Sequence, residues 1–370
     1  VRFDRKLLKN LDWQLWLAML LISVVGVIVL RSASAGVMPR NPLYYTKRQI
    51  LWVIMGNVMI AASLYFDYRL LTKLIKPLYL LNLTLLAAVL VFGQERGGAQ
   101  RWVSIAGFPL QPSEFAKIFI IIVLAYYLEK HEQIRNWPDL VKAGIVVAVP
   151  MLLILIQPDL GTALVFVAIF MGMLYAAGTE LKYLASLIGM GILASPLMWK
   201  FILKDYQKMR LLVFLDPEAP QYRAFGGYHV TQSLIAVGSG RLFGRGYMQG
   251  TQNIRNFLPA QHTDFIFSVL AEEFGFVGAL LVIGLFVFML QRMLSIALDA
   301  KDVFGSLMVV GVIALTLFQL FINIGMTVSV MPVTGIPLPL LTSGGSSYLS
   351  YCLAIALVLN VGMRRQKILF

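Results

Sequence analysis

The sequence predicts an all-α polytopic membrane protein with about ten transmembrane helices and one large outer loop region between helices 7 and 8. Three observations carry that expectation. Of 370 residues, 59% are apolar and only 13% are charged, against an apolar share of about 45 to 50% in a soluble domain. Apolar runs recur along the whole chain at lengths near the roughly 20 residues that a helix needs to cross a hydrocarbon core. Lysines and arginines punctuate those runs instead of forming one block, so the formal charge of +13 suits membrane lipids or an anionic ligand and argues against nucleic acid. Residues 1–370 read as a single membrane domain, with the loop at 204–264 inside it.

Taken in order, the runs fall near 13–30, 50–66, 77–92, 115–128, 141–156, 160–177, 181–203, 265–290, 306–331 and 346–363. The first lacks a small-residue cleavage site and reads as a retained span, not a signal peptide. Only Gln157, Pro158 and Asp159 separate the fifth run from the sixth. An even count puts both termini on one side. Short connections on that side carry Arg69, Lys73, Lys130, Lys182 and Arg292, and the C-terminal end adds Arg364 and Arg365, which marks it as cytoplasmic. The opposite side is basic as well, with Arg31, Arg40, Lys47, Arg48, Arg96 and Arg101, and eight more Lys or Arg from Lys200 to Arg255. Long loops report orientation poorly, and an anionic ligand on the outer face is the simplest account of those charges.

The connections carry the chemistry. The single cysteine, Cys352, lies inside an apolar run, which excludes disulfides and thiolate metal sites. His131, His229 and His262 are too dispersed for a metal triad. Before the second span, Tyr44 and Tyr45 fit an interfacial anchor beside the candidate cation Arg48. The Gly- and Pro-rich stretch at 97–117 predicts a turn or short hairpin, then, with Pro112 just before it, a helix with Ser113 as its cap and Glu114 in its first turn. Glu114 and Lys117, spaced i,i+3, share a face; at a membrane boundary neither charge is left alone cheaply, and the alternative to a polar site is a structural clamp. Asp159 reads as a helix cap.

In the outer loop, 211–215 is too short to span and reads as interfacial, and 228–237 as an amphipathic helix. Five glycines from Gly238 to Gly250 flank Arg241 and Arg245, a composition that suits phosphate binding through amides and guanidinium groups, without any Walker or Rossmann pattern. The centre of the chemistry is Asp264, set with His262 and Thr263 at the start of an apolar run. Capping the following helix is the competing role for its carboxylate. Near the end, Pro332, Pro337, Pro339 and the Gly344–Gly345 pair break the last two runs. A partly re-entrant segment is expected there, because non-helical backbone at membrane depth needs burial in protein or a wet cavity, with Ser343, Ser346 and Ser347 facing that cavity.

Six segments, GAQRW at 98–102, QPSEFAK at 111–117, QPDLGT at 157–162, GSGRLFGRG at 238–246, FLPAQHTDFIFSVLAEEFG at 257–275 and PVTGIPLPLLTSGGSS at 332–347, together resemble the SEDS family of shape, elongation, division and sporulation proteins. Thr263 in HTDF resembles the cell-elongation branch more than the division branch; Ala260 departs from a frequent glutamate. The resemblance implies a ten-helix peptidoglycan glycosyltransferase that polymerises lipid II into polyprenyl-pyrophosphate-linked glycan on the outer face of the bacterial cytoplasmic membrane. Asp264 matches the family's essential aspartate, and Glu114, Lys117, Arg48 and Arg101 match polar cavity positions. A class B penicillin-binding protein, a transpeptidase, is the implied partner. Glycosyl transfer needs a base for the acceptor hydroxyl and cations for the departing pyrophosphate. Asp264 is either that base or the ligand of a divalent cation (Mg or Mn), two roles that sequence does not separate. Arg48, Arg101, Lys117 and Arg245 are the candidate cations, with His262 and Ser343 as further polar groups of the pocket. The other readings are a lipid II flippase, a non-catalytic scaffold for wall enzymes, or a division- or sporulation-type polymerase.

Overall fold

The computed structural model describes residues 9–37, 40–96, 99–105, 108–131, 134, 136–217, 219–222 and 226–365. Its helices are α1 Trp13–Val37, α2 Tyr44–Ser63, α3 Ile75–Phe92, α4 Pro112–Lys130, α5 Trp137–Ile156, α6 Leu160–Ala176, α7 Leu181–Leu197, α8 Asp205–Leu215, α9 Tyr228–Ser239, α10 Thr251–Ile254, α11 Ile266–Leu298, α12 Val303–Thr327 and α13 Gly345–Met363. A helix stands at each of the ten expected apolar runs. Seven are long and apolar enough to cross a membrane by length and composition. The other three are α2, α4 and α6. Helix α6 has 17 residues. Helix α4 carries Glu114, Lys117, Glu129 and Lys130, and tolerates them because α3, α6, α12 and α13 surround it and bury most of its length.

The core lies where α12 and α13 meet α2, α4, α6 and α11. The outward faces of α1, α2, α5 and α7 expose large apolar side chains, among them Leu17, Val58, Ile145 and Leu193, as a lipid-facing rim would. The two described chain ends meet: Arg292 and Arg365 both reach Asp12, at 2.6 and 3.6 Å. That is the geometry an even number of crossings requires.

Two local expectations are revised and two are filled in. The expected hairpin is present, with β2 Ala99–Ile105 pairing antiparallel with β3 Phe108–Leu110, and β1 Gln94–Arg96 extends it to a three-stranded antiparallel sheet in the order β1-β2-β3, so the chain is not purely helical; Gly97, Gly98, Ala106 and Gly107 of that stretch lie outside the described residues. Gln111, not Ser113, is the cap residue of α4, and no side chain caps it; Ser113 Oγ is buried without a partner. The run at 211–215 is the second half of α8, an 11-residue helix that is, as expected, too short to span. The expected span near 265–290 extends to Leu298, with a break at Gly275, whose φ is 68°.

That break explains the glycine-rich loop. Helix α11 loses its own hydrogen bonds at Gly275, and the turn after α9 replaces them: Phe276 N donates to Arg241 O at 2.8 Å and Val277 N to Leu242 O at 3.0 Å, while Arg245 N and Gly246 N donate to Glu272 O and Glu273 O. The amides expected to cradle phosphate are therefore spent on a helix. Only glycine fits at Gly244, where φ is +83° and a Cβ would collide with Glu273 O.

Candidate functional site

Helix α4 delivers the first two side chains. Lys117 Nζ lies 2.8 Å from Glu114 Oε2, with both side chains 3–5% exposed, and Ser350 Oγ of α13 donates to the same Glu114 oxygen at 3.4 Å. Two ions so deeply buried persist only as a pair, since stranding either costs about 3–5 kcal/mol. The start of α6 adds Asp159, whose Oδ1 accepts from Thr162 N at 3.2 Å; the expected cap is there. Asp159 also meets Arg101 Nη1 of β2 at 3.6 Å, and Arg101 Nε donates to Gln157 O at 3.1 Å.

Asp264 does not cap α11. The cap residue is Phe265, with no side-chain bond at the helix start, so the carboxylate is left for other work. Its backbone oxygen accepts from Asn323 Nδ2 at 3.2 Å, which fixes the turn from the side of α12. Asp264 lines a polar cavity of about 260 Å³ together with Lys117, Glu114, Arg101, Asp159, Ser343, Ser346 and Ser347. Although part of the side chain faces that cavity, protein encloses it closely. The burial raises its pKa above the ordinary carboxylate range, against the opposing pull of the Arg210 guanidinium and of the Thr263 hydroxyl.

The structure thus brings together Asp264, Glu114, Lys117, Arg101 and Ser343. It leaves three expected residues outside. Arg48 is not among the lining residues, because Tyr44, one turn earlier on α2, holds it: Nη1 donates to the Tyr44 hydroxyl at 2.7 Å and the guanidinium lies 5.5 Å from the ring centre. Arg245 is exposed and donates to Thr251 Oγ1 at 3.0 Å, its backbone being committed to α11. His262 stacks on Tyr45, centroids 4.4 Å apart. It serves the site through its backbone, whose oxygen accepts from Ser343 N at 3.1 Å. Burial lowers the pKa of its ring.

Sequence reasoning missed Arg210. It was one of eight cations in a long loop, yet its spacing from Tyr206, i,i+4 on α8, puts both on one face, and both line the cavity. Also missed were Glu272 and Glu273, both buried. They pin the outer loop: Glu272 Oε1 accepts from Gln252 N at 3.0 Å and Glu273 Oε1 from Asn253 Nδ2 at 3.1 Å.

Among the described residues no three His, Cys, Asp or Glu gather as a metal cluster. In the cavity Glu114 and Asp159 are engaged by Lys117 and Arg101, so Asp264 is the carboxylate left to accept a proton or an ion. A base of raised pKa, walled by cations and hydroxyl groups, can deprotonate a hydroxyl and shelter a developing anion.

A family model described as "Cell cycle protein" (FtsW, RodA, SpoVE) matches residues 10–367. The chain is 32% identical to the peptidoglycan glycosyltransferase RodA of Treponema pallidum, over 96% of this chain and 98% of that one. It is 34% identical to the peptidoglycan glycosyltransferase MrdB of Escherichia coli K12, over 97% and 95%. Among solved structures it is similar to a chain from a peptidoglycan synthase complex that coordinates polymerization and crosslinking, with TM-score 0.81 and 30% identity, over 95% of this chain and 97% of that one.

Proposed function

The chain belongs to the FtsW, RodA and SpoVE family of cell cycle proteins, and we propose from that premise that it is a peptidoglycan glycosyltransferase. In this reading it polymerises lipid II into glycan strands at the outer face of the bacterial cytoplasmic membrane during cell elongation. One observation carries it: a carboxylate freed from capping shares a polar cavity with the buried Glu114–Lys117 pair and with Arg101. The chain is a multi-pass membrane protein, and the meeting of its described ends at Asp12 supports placing both on one side of the membrane, which the basic short loops assign to the cytoplasm.

In the reaction, an Asp264 carboxylate oxygen takes the proton of the acceptor sugar hydroxyl. The freed oxygen attacks the anomeric carbon of the donor, the bond from that carbon to the phosphate oxygen breaks, and a polyprenyl diphosphate leaves. Charge then builds on the diphosphate, and preorganised cations in a water-poor site stabilise it far more than they would in water. Glu114 pairs with Lys117 at 2.8 Å and fixes it in place. A divalent cation fits as an ion shared with the substrate, since Mg²⁺ commonly takes one or two carboxylates plus phosphate oxygens. Asp264 would be its protein ligand, and its contribution would be to neutralise diphosphate charge. A class B penicillin-binding protein is the proposed partner, supported by the likeness to a chain from a complex that couples polymerization to crosslinking.

The test is polymerisation of lipid II by the purified chain, alone and with that transpeptidase. Glycan is expected from the wild type and none from Asp264→Asn. Glycan retained by Asp264→Asn removes the carboxylate from the chemistry, and lipid translocation without any glycan makes the protein a flippase.

A further inference from the structure

The polar cavity does not end at Asp264. Beyond it opens a second, apolar chamber of about 670 Å³, walled by Met209, Val213, Phe214, Val230, Phe265 and Met331. Three residues, Tyr206, Arg210 and Asp264, line both spaces. Building on the glycosyltransferase reading, we infer that Arg210 is the anion subsite at this junction: its guanidinium holds the diphosphate of a polyprenyl-linked sugar opposite Asp264, with the first part of the tail in the apolar chamber.

Charge availability singles out Arg210. Of the cations lining the polar cavity, Lys117 is matched by Glu114 at 2.8 Å and Arg101 by Asp159 at 3.6 Å, with a further bond to the Gln157 carbonyl. Arg210 has no carboxylate within ion-pair distance among the described residues. Its Nη1 donates to the Thr334 carbonyl at 3.0 Å, and its guanidinium lies 5.8 Å from the Tyr206 ring centre. A guanidinium has five N–H donors in a fork that matches phosphate oxygens, so most of this one remains to be used. An arginine held in place by one carbonyl and one ring is already oriented when its ligand arrives.

The gap between base and cation is built from a glycine. Gly335 has φ +78°, and a Cβ on it would lie 3.7 Å from Asp264 Oδ2 and 3.8 Å from Arg210 Nη1. The carboxylate and the guanidinium thus flank one small space without closing on each other as a salt bridge. A side chain at 335 would fill it. An acceptor hydroxyl on Asp264 and the leaving phosphate oxygen on Arg210 would approach the donor's anomeric carbon from opposite sides of that space, as in-line transfer from a sugar diphosphate requires. The apolar chamber selects the ligand class. A lipid-linked diphosphate offers methylenes to that wall, each worth about 0.8 kcal/mol on burial, whereas a soluble nucleotide diphosphate would leave a polar nucleoside against it.

The variants that separate charge from anchoring are Arg210→Gln, which can still donate to the Thr334 carbonyl, and Arg210→Lys, which keeps charge without the fork. Lys208→Ala removes a cation from the same helix outside both cavities. Three readouts on the full chain decide the matter: kcat and KM for lipid II, inhibition by polyprenyl diphosphate against inorganic pyrophosphate, and the acid limb of the rate profile. Arg210→Gln is expected to lower kcat about 100-fold and to weaken inhibition by polyprenyl diphosphate about tenfold or more. Its acid limb should move to higher pH, because Asp264 loses the cation that opposes burial, while Arg101, Asp159, Glu114, Lys117 and Thr263 around it are unchanged. Arg210→Lys should restore part of each effect, and Lys208→Ala none of them should touch. Inorganic pyrophosphate should inhibit the wild type far less than the polyprenyl form; equal inhibition would leave the apolar chamber without a role and overturn its half of the inference. Arg210→Gln with kcat, inhibition and acid limb all near wild type overturns the subsite. Direct binding of polyprenyl diphosphate, followed by the shift in thermal unfolding, keeps the two readings apart: binding that depends on Arg210 in a wild type that makes no glycan sustains the subsite and sinks the glycosyltransferase reading.

Discussion

At Asp264 the requirements of folding and of chemistry pull in opposite directions. Burial raises its pKa, so the folded chain binds this proton more tightly than the unfolded chain does. Its contribution to stability is then present at low pH and is lost as pH rises through the folded pKa. Asp264→Asn, which removes the charge and keeps the shape, is expected to unfold at a higher temperature than the wild type at neutral pH. The advantage should shrink on acidification, and glycan synthesis should fall by about 10²- to 10⁴-fold. Thermal unfolding of both proteins at several pH values checks the sign; a less stable Asn variant at neutral pH would mean that the carboxylate is held by partners, not stranded by burial. Lys117 gives the complementary case. Lys117→Met leaves Glu114 buried without its 2.8 Å partner and should cost about 3–5 kcal/mol, most of which Glu114→Gln in the same chain should return. Melting of the single and double variants measures that coupling, and additive losses would argue that the two charges do not depend on each other.

Among the elements, helix positions were plain in the sequence and helix interruptions were not. A run of apolar residues announces a span whatever its partners are, so ten helices fall where hydropathy puts them. Gly275 follows the Glu272–Glu273 pair within an otherwise apolar run, and nothing local tells that α11 opens there to take in a turn from 240–246. The loop's glycines and arginines are visible in sequence; that its amides are consumed by Glu272 and Glu273 carbonyls depends on a contact between distant segments. Arg48 is a different case, since its capture by Tyr44 is an i,i+4 contact within one helix; the distant-contact limit did hide Arg210, whose value rests on what the neighbouring cations are paired with. Gly244→Ala tests the docking. With φ +83° and backbone of α11 against the missing Cβ, the variant combines left-handed strain, about 1–3 kcal/mol, with displacement of the turn. A lowered unfolding temperature and faster amide exchange around Phe276 and Val277 are expected. An unchanged exchange pattern would show that α11 bridges its break unaided.

For the molecule as a whole, the cavity exists because irregular backbone is packed where a membrane helix would otherwise run. The segment from Met331 to Gly344 has no helix or strand, and its carbonyls and amides need partners inside protein. One side chain on α12 supplies one of them and also holds the turn at Asp264. Asn323, fully buried on α12, donates to Ile336 O at 2.8 Å and to Asp264 O at 3.2 Å, so a single amide ties this irregular segment and the backbone of Asp264 to one helix. The sequence shows the proline breaks and the HTDF motif, and it cannot show that they share this anchor, because 59 residues separate Asn323 from Asp264. Asn323→Leu conserves volume and removes both donors. Each orphaned carbonyl should cost about 1–3 kcal/mol, and the loss should reach function, since Asp264 and Gly335 are held in register through the same contact. The expected result is a folded but less stable protein whose kcat falls far more than its KM changes, because misplacing a base by about 1 Å can cost about 100-fold in rate. A variant that loses stability while keeping kcat would show that the turn at Asp264 is fixed from its own side, by Thr263 and the start of α11.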